Sequence, residues 1–271
     1  MVPTAPEAFR TSPGNGARAG SDSGHVAWRA VGYWIMKVIL TPILRMLFRV
    51  RVEGVEHLPR RGAAILASNH LSFCDSIFLP LVLKRRITFV AKAEYFEDPK
   101  TAWFFRAVGQ IPIKRGGGSA SQRALESAKE VLDKGGLFGI YPEGTRSPDG
   151  RLYKGHTGVA RLALATGAPI HAVAMIGTRE AQPIGQVKPN FFSPITVKIS
   201  PPIDVAGIAG ATAEGDPSVL RRITDDVMFE LAQMSGQEYV DRYAKRGEAV
   251  DAPEPTVLQP AYPGALTPTA A

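Results

Sequence analysis

The stretch SASQRALESAKEVLDKGGLFGIY, residues 119–141, sets the architecture. Ser119 and Gln122 match a capping box that opens a helix, and the helical reading runs to Lys134. Gly135 is placed to stop it, because glycine takes the left-handed conformation that ends helices. Leu137–Tyr141 then reads as a short buried strand. Working outward, the alternation continues on both sides. Upstream, Ala63–Ala67, Ile87–Ala91 and Gln110–Ile113 read as strands and Ile77–Leu83 as a helix. Downstream come a helix over Val159–Ala165 closed by Gly167, strands at Ile170–Ile176 and Ile195–Ile199, and a late helix over Val219–Met234. This alternation predicts an α/β fold with a mixed, mainly parallel sheet flanked by helices. Ligands of such sheets bind at strand ends.

The flanks differ in kind. Residues 1–26 are rich in Gly, Pro, Ser and Ala, and residues 247–271 carry Pro253, Pro255, Pro260, Pro263 and Pro268. Both are expected to be disordered tails. Between the first tail and the α/β pattern, residues 27–50 are aromatic and aliphatic, with Tyr33, Trp34, Ile35, Met36, Val38, Ile39, Leu40 and Ile43. At helical spacing Lys37, Arg45 and Arg49 share an arc of about 120°. The segment is expected to hold interfacial helices lying in a membrane surface, basic edge toward the headgroups. A helix packed on the core with its cations in water fits the same pattern. No run reaches the roughly 18 apolar residues of a membrane span. The longest candidate, Trp28 to Val52, is interrupted by five cations and Pro42, and it begins too far into the chain for an ordinary secretory signal.

The 271 residues suit one sizeable domain, and 45% hydrophobic content supplies a core. The formal charge of +7 suits phosphate-bearing partners: nucleic acid, anionic lipid or a phosphorylated substrate. The single cysteine, Cys74, excludes an internal disulfide and a cysteine-rich zinc site, and fits a reducing compartment.

Asn69-His70-Leu71-Ser72-Phe73-Cys74-Asp75 follows the first strand. His70 would leave the strand end, and Asp75 would sit in the first turn of the next helix, where the helix dipole favours a carboxylate. A carboxylate on one imidazole nitrogen fixes the tautomer and makes the other nitrogen a better base. Ser72 and Asp75 equally fit a capping box that serves the helix alone. Cys74 is a conceivable acyl-accepting thiol, but its neighbours Phe73 and Ile77 are apolar and suit a packed residue better. Tyr141-Pro142-Glu143-Gly144-Thr145-Arg146-Ser147 follows a second strand. Gly144 lets backbone amides approach an anion and Arg146 offers a planar fork of donors. Glu143 there needs a cation or substrate hydroxyls as partners. Lys92, Lys114 and Arg115 add cations at two further strand ends. Taken singly, each cation also fits a solvated surface.

In order and spacing, these segments resemble the glycerophospholipid acyltransferases, the family that includes 1-acyl-glycerol-3-phosphate acyltransferase. The resemblance covers about residues 50–205. The family's His-x4-Asp block matches His70 to Asp75, its Gly-x-x-(apolar)-x-x-Arg block matches Gly109 to Arg115, and its (apolar)-Pro-Glu-Gly-Thr-Arg-Ser block matches Tyr141 to Ser147 in full. A fourth block, implied to help shape the acyl-donor site, is matched loosely by Ala168–Val173, with Ala172 in place of the usual second proline. Lys114 stands where the family often has an acid. The resemblance implies a catalytic domain over residues 51–246 that moves a fatty acyl group from acyl-CoA or acyl carrier protein to the free hydroxyl of 1-acyl-glycerol-3-phosphate, giving phosphatidic acid. It implies His70 and Asp75 as the catalytic pair and Lys92, Arg115, Glu143, Gly144, Thr145 and Arg146 as substrate-binding residues. It implies no metal and no cofactor, no nucleic-acid partner, and residence at the cytoplasmic face of a membrane. Another acceptor, such as glycerol-3-phosphate or a glycolipid, or a non-catalytic phospholipid-binding module, would use the same residues.

Overall fold

The run Ala64–Ser68 forms strand β2 at the heart of a seven-stranded sheet, every residue of it buried. The computed structural model describes residue 34 and residues 37–113, 118–186, 188–209 and 215–245; both expected tails lie outside the described residues. The remaining strands are β1 (Arg51–Glu53), β3 (Ile87–Lys92), β4 (Ile111–Ile113), β5 (Leu137–Ile140), β6 (Leu152–Tyr153), β7 (Ile170–Ile176), β8 (Thr196–Ile203) and β9 (Tyr239–Val240). The helices are α1 over residues 37–48, α2 (Asp75–Val82), α3 (Glu94–Glu97), α4 (Pro99–Ala107), α5 (Gly118–Asp133), α6 (Gly158–Thr166), α7 (Thr178–Ala181), α8 (Val205–Ala209) and α9 (Pro217–Ser235).

The sheet order is β1-β8-β7-β2-β5-β3-β4, and every pairing is parallel except β7 with β8. This is the mixed, mainly parallel α/β sheet the alternation predicts. β6 and β9 form a separate two-stranded ladder. Because the sheet is covered on both faces, its central strands are continuously apolar rather than alternating. Ile65 and Ala67 of β2 face a core built with α5, α6 and α9, while Ala64 and Leu66 face a second core built with α2 and Phe48.

Helix α1 packs onto that second core through Leu44, Leu47 and Phe48, and the Phe48 ring meets Phe78 edge-on at 5.1 Å. Its outward side carries Trp34, Val38, Ile39, Ile43 and Met46, all exposed. One expectation is corrected here. Lys37 is not on a headgroup-facing edge but buried, with Nζ donating to the carbonyls of Pro80 and Leu83. Thr41 Oγ1 donates to Leu81 O at 3.4 Å. These carbonyls lie at the carboxyl end of α2, where the last turn of a helix lacks internal partners and attracts a cation. Burial pushes the Lys37 pKa down to about 8. The remaining N-terminal residues of the expected interfacial segment, 27–33 with 35 and 36, lie outside the described residues.

Candidate active site

Ala67 pairs with Ile140 across the parallel β2–β5 ladder, so both strands release the chain at the same edge of the sheet. Residues 69–75 and 141–147 therefore emerge side by side. Parallel register, not proximity in sequence, unites the two motifs.

Asp75 Oδ2 lies 2.9 Å from His70 Nδ1. The same oxygen accepts from the amides of Leu71 at 2.7 Å and Ser72 at 2.8 Å. Ser72 Oγ in turn accepts from Cys74 N at 3.2 Å. Of the Ser72–Asp75 capping box only the Asp75 half forms, because Ser72 Oγ serves Cys74 N and the N-cap of α2 is Cys74, and the oxygen that makes that half also orients His70. Asp75 is fully buried, and its carboxylate faces Nδ1 as an acceptor. That makes Nδ1 the protonated nitrogen, so Nε2 carries the free lone pair. His70 lines the cleft.

The Tyr141–Ser147 segment wraps the backbone of His70. His70 N donates to Glu143 Oε1 at 3.1 Å, and Ser147 N donates to His70 O at 2.7 Å. Glu143 Oε2 accepts from Tyr153 N at 3.0 Å. Glu143 is 1% exposed and lies beneath the cleft, with both oxygens on backbone amides. Burial pushes its carboxyl up to about 8, against the pull of those two amides. Gly144 has φ 71°, a left-handed conformation, and a Cβ there would sit 3.2 Å from His156 Cδ2. Glycine is needed for the turn and for the close approach. Tyr141 stacks on His70 with ring centroids 3.9 Å apart, and its hydroxyl lies 3.0 Å from Ser76 Oγ.

The edge opens into a cleft of about 1120 Å³. Its lining includes the apolar side chains of Phe73, Phe89, Val90, Tyr95, Phe105, Ile113 and Leu125. It also includes Thr145, Arg146, His156, Arg161, Lys92 and Lys245. No aspartate or glutamate is among the described lining residues. Of the residues named from sequence, His70, Lys92, Gly144, Thr145 and Arg146 line the cleft. Asp75 stands behind His70, Glu143 lies below, and Arg115 falls outside the described residues. Cys74 is buried, its thiol donating to Gln182 Oε1 at 3.2 Å, and burial pushes its pKa up to about 11, so it stays a protonated packing residue. Sequence reasoning passed over Tyr95 and Phe105, which stack at 4.9 Å on α3 and α4, because Asp98 and Pro99 split that helical stretch into two short pieces.

Residues 49–176 match the family model described as Acyltransferase. Over that segment, just under half of the chain, the protein is similar to the acyltransferase family. The chloroplastic 1-acyl-sn-glycerol-3-phosphate acyltransferase of Arabidopsis thaliana is 32% identical over 58% of this chain and 44% of its own length. The enzyme of the same name from Limnanthes douglasii is 35% identical over 57% of this chain and 54% of its length. The chain spans about half the length of the curated relatives it matches. The crystal structure of the 1-acyl-sn-glycerophosphate acyltransferase of Thermotoga maritima superposes with a TM-score of 0.56 at 26% identity, over 81% of this chain and 86% of that one.

The segment that matches the family model ends at Ile176, the last residue of β7. Residues beyond Ile176 brace its site from outside. Gln237, beyond α9, accepts from Asn69 Nδ2 at 2.6 Å and donates to Gly150 O at 2.6 Å, tying the residue before His70 to the turn after Ser147. The loosely matched fourth block of the acyltransferase pattern lies elsewhere. Ala168 to Val173 lead into and form the first part of β7, with Ile170 paired to Ile65 near the start of β2, and none of them lines the cleft. Ala172 is packed in the sheet, so a missing proline there does not alter the cleft wall.

Proposed function

We propose that the chain transfers a fatty acyl group from an acyl thioester to the free hydroxyl of 1-acyl-glycerol-3-phosphate, giving phosphatidic acid. The observation that carries this reading is the lining of the cleft: an Asp75-oriented His70 in company with apolar side chains and cations, with no acid among the described lining residues. His70 Nε2 takes the proton of the acceptor hydroxyl as its oxygen bonds to the thioester carbonyl carbon. The carbon–sulfur bond then breaks, and the sulfur leaves as thiolate, which the His70 proton neutralises. A thiol pKa near roughly 8.5 makes that departure facile. The apolar lining residues fit the acyl chain, and Lys92 and Arg146 fit the acceptor phosphate. Gly144 and Thr145 shape the turn that presents Arg146, and Glu143 holds the backbone of His70 in register. Arg115 is assigned to the same phosphate by resemblance alone.

The acceptor and product are bilayer lipids, and the exposed surface suits a bilayer. Val38 is 70% and Met46 71% exposed on the outward side of α1. Phe191 and Phe192, also exposed, adjoin that helix: Phe192 N donates to Leu47 O at 2.6 Å, and the Phe191 ring lies 5.7 Å from Phe48. Arg45 and Arg49 beside this apolar patch complement anionic headgroups. Among the described residues no helix is long and apolar enough to cross a membrane. We infer peripheral docking at the cytoplasmic face by this patch.

Acyl transfer by the purified chain in detergent, with lysophosphatidic acid and acyl-CoA or acyl carrier protein, tests the reading beside His70→Ala. Turnover abolished by the substitution supports it. Turnover that survives, or silence with every donor, removes it and leaves the lipid-binding alternative.

A further inference from the structure

The cleft holds more positive charge than one acceptor phosphate requires. Lys92 and Arg146 account for that phosphate in the proposed reaction, which leaves Arg161 and Lys245. These two sit on other elements of the chain than Lys92 and Arg146. Arg161 sits in the first turn of α6, and Lys245 follows the β9 segment, which β6 holds in place through Leu152↔Tyr239 and Tyr153↔Val240. Among the described residues Arg161 has no ion-pair partner.

The same cleft offers a flat aromatic surface. His156 and Tyr243 stack with centroids 4.4 Å apart and planes 7° from parallel. His156 is anchored to the acceptor loop, its amide donating to Pro142 O at 2.8 Å. α6 then begins at Gly158, which lines the cleft, and its N-cap Thr157 makes no side-chain capping bond. First-turn amides without a side-chain cap and a positive dipole end add to Arg161 as anion donors. The patch therefore begins where the acceptor loop ends, within the same cleft as His70.

We propose that Arg161, with Lys245 and the stacked His156–Tyr243 pair, binds the phosphate and arm of the phosphopantetheine group that carries the donor's acyl thioester. This rests on the acyl-transfer reading. Both candidate donors, coenzyme A and acyl carrier protein, present the acyl group on a long amide-bearing arm that ends in a phosphate. The arm suits the flat aromatic face, and the phosphate suits a guanidinium at a helix start. Two anions then enter one cleft on separate cationic elements, the acceptor over residues 92 and 146 and the donor over residues 156–161 and 243–245. Each keeps its own reacting atom free to reach His70.

The test is binding, read without turnover. The full chain in detergent is titrated with 4′-phosphopantetheine and with pantetheine, which lacks the phosphate. The expected result is tighter binding of the phosphorylated probe by roughly tenfold, as one charge-assisted contact supplies. Arg161→Gln removes that preference and Arg161→Lys restores part of it. Tyr243→Ala weakens both probes alike. Repeating the Arg161→Gln titration with coenzyme A and with holo-acyl carrier protein identifies the carrier as the one whose binding falls. Equal binding of the two probes by the unsubstituted chain overturns the proposal. So does a preference that survives Arg161→Gln, or a loss confined to lysophosphatidic acid, which would hand Arg161 to the acceptor. Because the titration does not depend on catalysis, absence of acyl transfer would sink the broader function while leaving this result readable.

Discussion

The Tyr141 ring lies on the His70 imidazole, 3.9 Å between centroids and 13° from parallel, and Phe89 backs Tyr141 from 5.3 Å. In the proposed reaction His70 takes the acceptor proton and becomes a cation against an aromatic face. That contact is stronger for the charged ring than for the neutral one, so it acts on the transition state more than on substrate binding. Tyr141→Leu is expected to lower kcat roughly tenfold with KM little changed. Tyr141→Phe keeps the stack, loses only the Ser76 contact, and retains most of the rate. Steady-state kinetics of the two variants check this; equal losses in both would assign the effect to the hydroxyl.

Asp75→Asn separates the two tasks of one oxygen. An asparagine oxygen still accepts from the amides of Leu71 and Ser72, so the start of α2 is largely kept. That oxygen also still faces Nδ1–H, but the amide carries no negative charge to stabilise the imidazolium formed on proton transfer, a loss that costs up to roughly 10⁴-fold in kcat. The expected outcome is a protein with a melting temperature near that of the parent and almost no turnover, by calorimetry beside the acyl-transfer assay.

Glu143 makes stability pH-dependent. Its folded pKa, pushed up to about 8 by burial, exceeds the unfolded value of 4.5. Between those values the folded state holds the extra proton, so stability falls as pH rises through that window. Urea unfolding from pH 5 to pH 8 is expected to show a declining free energy that flattens in Glu143→Gln. The variant keeps one acceptor oxygen for the amides of His70 and Tyr153 and loses the other, so it is less stable at pH 5 and closer to the parent at pH 8.

Phe192 adopts φ 66° while 61% exposed, a strained conformation for a bulky side chain with little packing to hold it. Phe192→Gly is expected to raise folding stability by about 1 kcal/mol and to weaken binding to anionic vesicles roughly tenfold. Calorimetry and vesicle sedimentation together check it. A residue kept for folding would move both readouts in the same direction.

The sequence was informative where burial is continuous or periodicity long. Ile170–Ile176 is found over its full length because β7 is covered on both faces, and α5 because its pattern ends at Gly135. The His70–Asp75 pair and the cleft-lining Gly144, Thr145 and Arg146 are legible for a different reason: each follows a strand whose end the parallel order brings to one edge. What stays hidden depends on pairings distant in sequence. β6 and β9 are two residues each and nearly ninety positions apart, so no local pattern announces the ladder that positions Tyr243 and Lys245. The burial of Lys37 depends on the carboxyl end of α2, more than forty residues away. The inward turn of Glu143 depends on Tyr153 N, which a motif read on its own cannot supply.

The clasp of residues 143–147 on both backbone groups of His70 has a consequence for redesign. In the proposed reaction, a loop graft intended to change which acceptor is accepted would transplant the scaffold of the general base along with it, so that acceptor preference and basicity are inherited together. A library that varies Thr145 and Arg146 while holding Glu143 and Ser147 fixed is the one that can separate them.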